Sequence, residues 1–185
     1  MRLLPLTLAV TGVLLPILAG AAAPEPAGFW STPTITGYGK IHYLPDAAYK
    51  PVYDQTYRVV FSLTLGAKSP GEVNPSLDHV ARTVNLYFAA GVPLDHLKFV
   101  AVASGAATPL ALNDQQYRAA YGMPNPNLPL IAELRNAGVD VAVCGQAVAE
   151  HHFRYSWLDR HVRLSLSALT TITTLEHKGY ALMQM

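Results

Sequence analysis

Val139-Asp140-Val141-Ala142-Val143-Cys144-Gly145-Gln146 is the stretch on which the fold turns. Its run of valines and alanine has the β-branched, apolar character of a strand buried on both faces, as in parallel sheets. Gly145 turns the chain, and Gln146 to Phe153 can start a helix. Just upstream, Leu130, Ile131, Leu134 and Ala137 recur at helical spacing behind Asn127 as a cap, and Gly138 closes the run. Helix, strand and helix follow one another within a short span, which is the pattern of an α/β chain.

The same alternation extends in both directions. Tyr57 to Leu65 reads as a buried strand ending at Gly66, followed by Asn74-Pro75, a cap with proline at the first helical position. Leu77, Val80, Ala81, Val84, Tyr87 and Phe88 then mark one face of a helix stopped by Gly91. Leu97 to Ala103 is a second strand, ending at Ser104-Gly105, and Asn113 caps a short helix through Tyr121, closed by Gly122. Downstream, Val162 to Leu166 alternates as a strand. Ser167 caps a helix from Ala168 to Lys178, weakened in propensity by its threonines, and Tyr180 to Met185 forms a last strand. The expected architecture is α/β: a single-domain three-layer sandwich with a mostly parallel sheet of about five strands.

Two segments precede that domain, which spans residues 57–185. Residues 1–23 hold Arg2, an apolar run from Leu3 to Leu18 and a small-residue exit, the layout of a secretory signal peptide. Residues 24–56 read as an irregular arm rich in proline and tyrosine. Its aromatics (Phe29, Trp30, Tyr38, Tyr43, Tyr49, Tyr53) are expected to anchor it across its own domain or a neighbouring subunit. Export places the protein across the inner membrane, in the periplasm, with no membrane attachment once the signal is cleaved.

Charge narrows the partners. The chain has 13 Lys+Arg and 12 Asp+Glu, and loss of Arg2 with the signal leaves the two balanced. A neutral protein has no general attraction for nucleic acid, so no nucleic-acid partner is expected. Neither a phosphate-binding glycine loop nor a dinucleotide or serine-nucleophile motif occurs, and no histidine or cysteine pair has metal-ligand spacing. No metal and no cofactor are expected.

What remains is Cys144, the only cysteine. It stands at the carboxyl end of a strand, where α/β sheets bind ligands, and beside a helix start, whose unpaired N–H groups stabilise a thiolate. Ser104 and Gly105 end the neighbouring strand and are candidates to line the same cleft. Gly145 and Gln146 are candidates to present N–H groups to the sulfur. The alternative is an inert cysteine packed at a strand end, in a non-catalytic oligomeric binding or scaffold module.

The block Asn125 to Leu134 and Ala137 to Gln146, the ending Ser167-Ala168-Leu169 with Leu175 to Ala181, and the opening strand and helix together resemble the DsrE/DsrF-like family. The signal peptide and the arm around Ile35-Thr36-Gly37-Tyr38-Gly39 resemble its exported branch. The resemblance implies a mainly parallel α/β sandwich assembled as trimers or hexamers, here a homo-oligomer with a trimer first. It also implies a sulfur-relay role in which the cysteine matching Cys144 carries a persulfide between a donor and an acceptor protein. That is a sulfurtransferase-like role rather than that of a hydrolase or oxidoreductase with turnover. Where many relatives have histidine before the glycine ending the second strand, this chain has Ser104, so the resemblance implies no Cys–His pair.

Overall fold

The computed structural model describes residues 26–185, and the signal-peptide reading of residues 1–23 lies outside them. The elements run β1 (Tyr57–Leu63), α1 (Pro75–Ala89), β2 (Leu97–Ala103), α2 (Asp114–Tyr121), α3 (Leu128–Asn136), β3 (Asp140–Cys144), α4 (Gly145–Glu150), β4 (Arg163–Ser165), α5 (Ala168–His177) and β5 (Ala181–Gln184). The strands form one sheet in the order β4-β3-β2-β1-β5. Every pairing is parallel, with Phe61 beside Ala101, Ala101 beside Val141, and Cys144 beside Ser165. The protein is therefore an α/β sandwich with helices on both sides of a five-stranded parallel sheet, as the alternation of strands and helices predicts.

Strand periodicity sends successive side chains to opposite faces, and the two faces are built unequally. Val59, Phe61 and Leu63 of β1, Phe99 and Ala101 of β2, and Val141 and Val143 of β3 face α1 and α3. There they pack on Leu77, Val80, Val84, Leu130, Ile131 and Leu134 in one large core. The other face buries a small cluster of Val60, Val102, Cys144, Ala147 and Ala168, with Ile172 and Leu175 of α5 laid over it. All four residues of β5 are exposed, so the thin layer covers the middle of the sheet and leaves its β5 edge open.

Local chemistry sets the helix ends. Asn74 accepts hydrogen bonds from the N–H groups of Ser76 and Leu77 and starts α1; Asn113 does the same for α2 through Gln116 N. Asn127 departs from expectation. Its backbone is already helical and it makes no side-chain cap. Its Oδ1 instead accepts from Asn74 N at 2.7 Å and its Nδ2 donates to Asn125 at 2.9 Å, tying the start of α1 to that of α3. Residues 105–111 show no periodicity in sequence yet form a 3-10 turn after β2. The helix after Cys144 stops at Glu150, short of Phe153, because His152 takes φ +58°. In α5 several threonine hydroxyls donate to the backbone a turn earlier, Thr171 to Ser167 O at 2.7 Å and Thr173 to Leu169 O at 2.9 Å.

Residues 26–56 lie on α1 of the same chain. Asn85, fully buried on α1, uses both ends of its amide: Oδ1 accepts from Thr34 N and Ile35 N, and Nδ2 donates to the carbonyls of Tyr38 and Gly39. Gly39 rests on the helix backbone. A Cβ there would stand 2.1 Å from Arg82 N, and its φ of +57° also favours glycine. The buried anchors are Ile35 and Ile41, whereas the expected aromatic anchors Tyr49 and Tyr53 are 104% and 66% exposed. Of the expected aromatic anchors, Tyr38 is half-buried and packs against the main core.

Candidate functional site

Cys144 ends β3 and is also the N-cap residue of α4, with φ −66° and ψ 117°. As an even-numbered residue of β3 it faces the thin side of the sheet, beneath the start of α5. The loop between β4 and α5 brings Ser167 and Ala168 to it from the far side of the cleft. Two helix starts thus converge on one sulfur. Sγ accepts from Ala147 N at 3.5 Å. Burial raises the thiol pKa, but the N–H groups of Ala168, Ala147 and Gln146 and the Ser167 hydroxyl outweigh it, and the pKa is lowered. Cys144 is only 5% exposed, so these donors stand in for water that a thiolate would otherwise need.

An open cleft of about 370 Å³ lies over the sulfur. Ser104 and Gly105 form one wall from the end of β2, Gln146, Ala147 and Glu150 a second from α4, and Ser167, Ala168 and Leu169 a third from α5. Ser104, Gly105, Cys144 and Gln146 therefore meet at one place. Gly145 does not line this cleft. It borders a neighbouring hollow with Tyr155, Leu164 and Leu166, where its missing side chain admits the β4 backbone: a Cβ would approach Ser165 O to 2.8 Å. Gln146 fastens the same junction by donating to Leu166 O at 3.1 Å.

His151, in the basic run after the cysteine, does not pair with it. Its Nε2 donates to Gly105 O at 2.9 Å, pinning the end of α4 to the end of β2. Arg163 and Arg135 both bind Asp140 at the opposite end of β3. Among the described residues no group of three or more His, Cys, Asp or Glu side chains is placed to hold a metal ion. The donors from α5 escape a reading of the sequence around Cys144 because they come from a segment more than twenty residues downstream. Ser167 shows in the sequence only as a helix cap, a role it keeps by accepting from Leu169 N at 3.2 Å. The set of one activated thiol, converging donors and an open cleft suits nucleophilic attack by sulfur on an electrophilic sulfur.

The sequence model of the DsrE/DsrF-like family matches residues 59–185. Among solved structures, a protein of unknown function from Methanobacterium thermoautotrophicum, MTH1491, is similar to this chain, with 18% identity and a TM-score of 0.49. The alignment covers 70% of this chain and 99% of that one. No curated protein matches.

Proposed function

From the premise that the chain belongs to the DsrE/DsrF-like family, which is linked to sulfur relay, we propose that it is an exported sulfur carrier working through Cys144. The carrying observation is the thiol's surroundings: Ala147 N donates to the sulfur at 3.5 Å, and with the neighbouring N–H groups of Ala168 and Gln146 and the Ser167 hydroxyl it lowers the thiol's pKa in spite of burial. In the proposed step the Cys144 thiolate attacks the outer sulfur of a donor persulfide. A new S–S bond forms, the donor's S–S bond breaks, and the donor leaves as a thiolate with the electron pair. An acceptor thiolate repeats the attack on the outer sulfur of the Cys144 persulfide, and Cys144 leaves as a thiolate. The two thiol–disulfide exchanges need neither a metal nor an outside oxidant. Ser104 and Gly105 bound the space for the donor, and Gln146 supplies an N–H beside the sulfur.

The burial of Cys144 favours a second reading, in which the thiol is structural and the protein is an oligomeric binding or scaffold module. Mass spectrometry of the protein as isolated separates the two. A reducible adduct of about +32 Da on Cys144 is expected of a carrier, as is its regeneration by a persulfide donor. A thiol that stays unmodified after donor treatment overturns the carrier reading.

A further inference from the structure

The carrier reading leaves open which donors the cleft accepts, and the walls carry that information. Among the cleft-lining residues Glu150 is the one carboxylate, and no lysine, arginine or histidine joins it. Glu150 is exposed, makes no ion pair among the described residues, and closes α4 six residues after Cys144. That spacing puts its charge about 10 Å from the sulfur along the helix. His151 beside it is turned to Gly105 O, outside the lining. The rest of the wall is neutral: two hydroxyls, an amide, and the apolar surfaces of Ala147, Ala168 and Leu169.

We infer that Glu150 makes the cleft a charge filter, so that Cys144 takes sulfur from uncharged or cationic sulfane and disulfide compounds ahead of anionic ones such as thiosulfate. The inference rests on the carrier reading and names its substrate class. A negative donor approaches a carboxylate and a developing thiolate together, with no cation in the wall to offset them. A donor bearing an ammonium meets attraction on the same path. For single charges about 10 Å apart at a wet surface, the preference between a cationic and an anionic donor of equal size is about fivefold at low salt. It shrinks as the screening length falls below that distance.

Paired methanethiosulfonate reagents carrying ethylammonium or ethylsulfonate groups test this on the full chain, with the uncharged methyl reagent as reference. In each case the thiolate attacks the sulfenyl sulfur, an S–S bond forms, and methanesulfinate leaves with the electron pair. Rates are taken above the titration of the thiol and divided by those of a cysteine peptide. The filter gives a cation-over-anion preference of about fivefold beyond the peptide's, lost in Glu150→Gln, reversed in Glu150→Lys and reduced in 1 M salt. A preference equal to the peptide's, or one unchanged in Glu150→Gln, overturns the filter and leaves the carrier reading in place. Failure of the uncharged reagent to label Cys144 at any pH overturns the carrier reading, and the filter with it.

Discussion

At Cys144 the contest is between burial, which disfavours the thiolate, and the donors of two helix starts, which favour it and win. Alkylation of Cys144 should therefore reach half-maximal rate below the pH of about 8.5 at which an ordinary thiol does. Ser167→Ala removes the hydroxyl donor and should move that midpoint upward, while Ser167→Thr keeps it; rate against pH checks both. The linkage has a definite sign. A thiol whose folded pKa is lowered contributes stability that is fully present above the unfolded value and is lost as pH falls through the folded value. Urea midpoints of the chain and of Cys144→Ala should thus draw apart as pH rises through that window. Gly145 makes a different prediction. Its Cβ would meet Ser165 O at 2.8 Å, so Gly145→Ala should cost about 1–3 kcal/mol in urea unfolding by pushing β4 from α4. The position of Cys144 at a strand end was readable from its neighbours. The oxygen of Ser165 and the N–H of Ala168 were not, because local sequence does not say which distant loop closes over a strand end.

The elements show the same division between local and distant causes. Strands and helices came through because two-residue and helical periodicities are written locally, and Asn74, Asn113 and Ser167 cap the helices they precede. Asn127 looks identical to those caps and is not one, because Asn74 N claims its side chain across 53 residues. Asn85 is the plainer case: a polar residue on the buried face of α1 gives no local hint that the arm supplies both its donors and its acceptors. Replacing it with alanine strands two N–H groups and two carbonyls, at about 1–3 kcal/mol for each buried group left unpaired. The arm should release before the sheet melts. Hydrogen exchange at Thr34 and Ile35 would rise toward unfolded rates in Asn85→Ala while amides of β2 stay protected; loss of protection in β2 as well would show that arm and domain unfold together.

Over the whole molecule, the thick layer of α1 and α3 holds the sheet, and the thin layer of α4 and α5 holds the thiol. Leu169 at the cleft and Tyr155, Leu164 and Leu166 at the neighbouring hollow are 48–78% exposed, apolar surface of the kind that marks an interface. We therefore expect a homo-oligomer, a trimer first, with Cys144 near a subunit boundary; the arm, folded on its own α1, leaves Leu86 and Phe88 as a second exposed apolar area. Light scattering at micromolar concentration should give a multiple of the chain mass, lowered by Leu166→Asp, and a monomer mass would reject the assembly. The open β5 edge has one further consequence, which concerns time. β1 pairs on one side with β2, but its other neighbour, β5, arrives about 120 residues later in the chain. Until then one flank of β1 is bare, in the orientation that recruits foreign strands. A ribosome delivers β1 ahead of β5, so the sheet is completed only once Ala181–Gln184 has emerged. Any chaperone that serves this protein has β1 to shield during that interval.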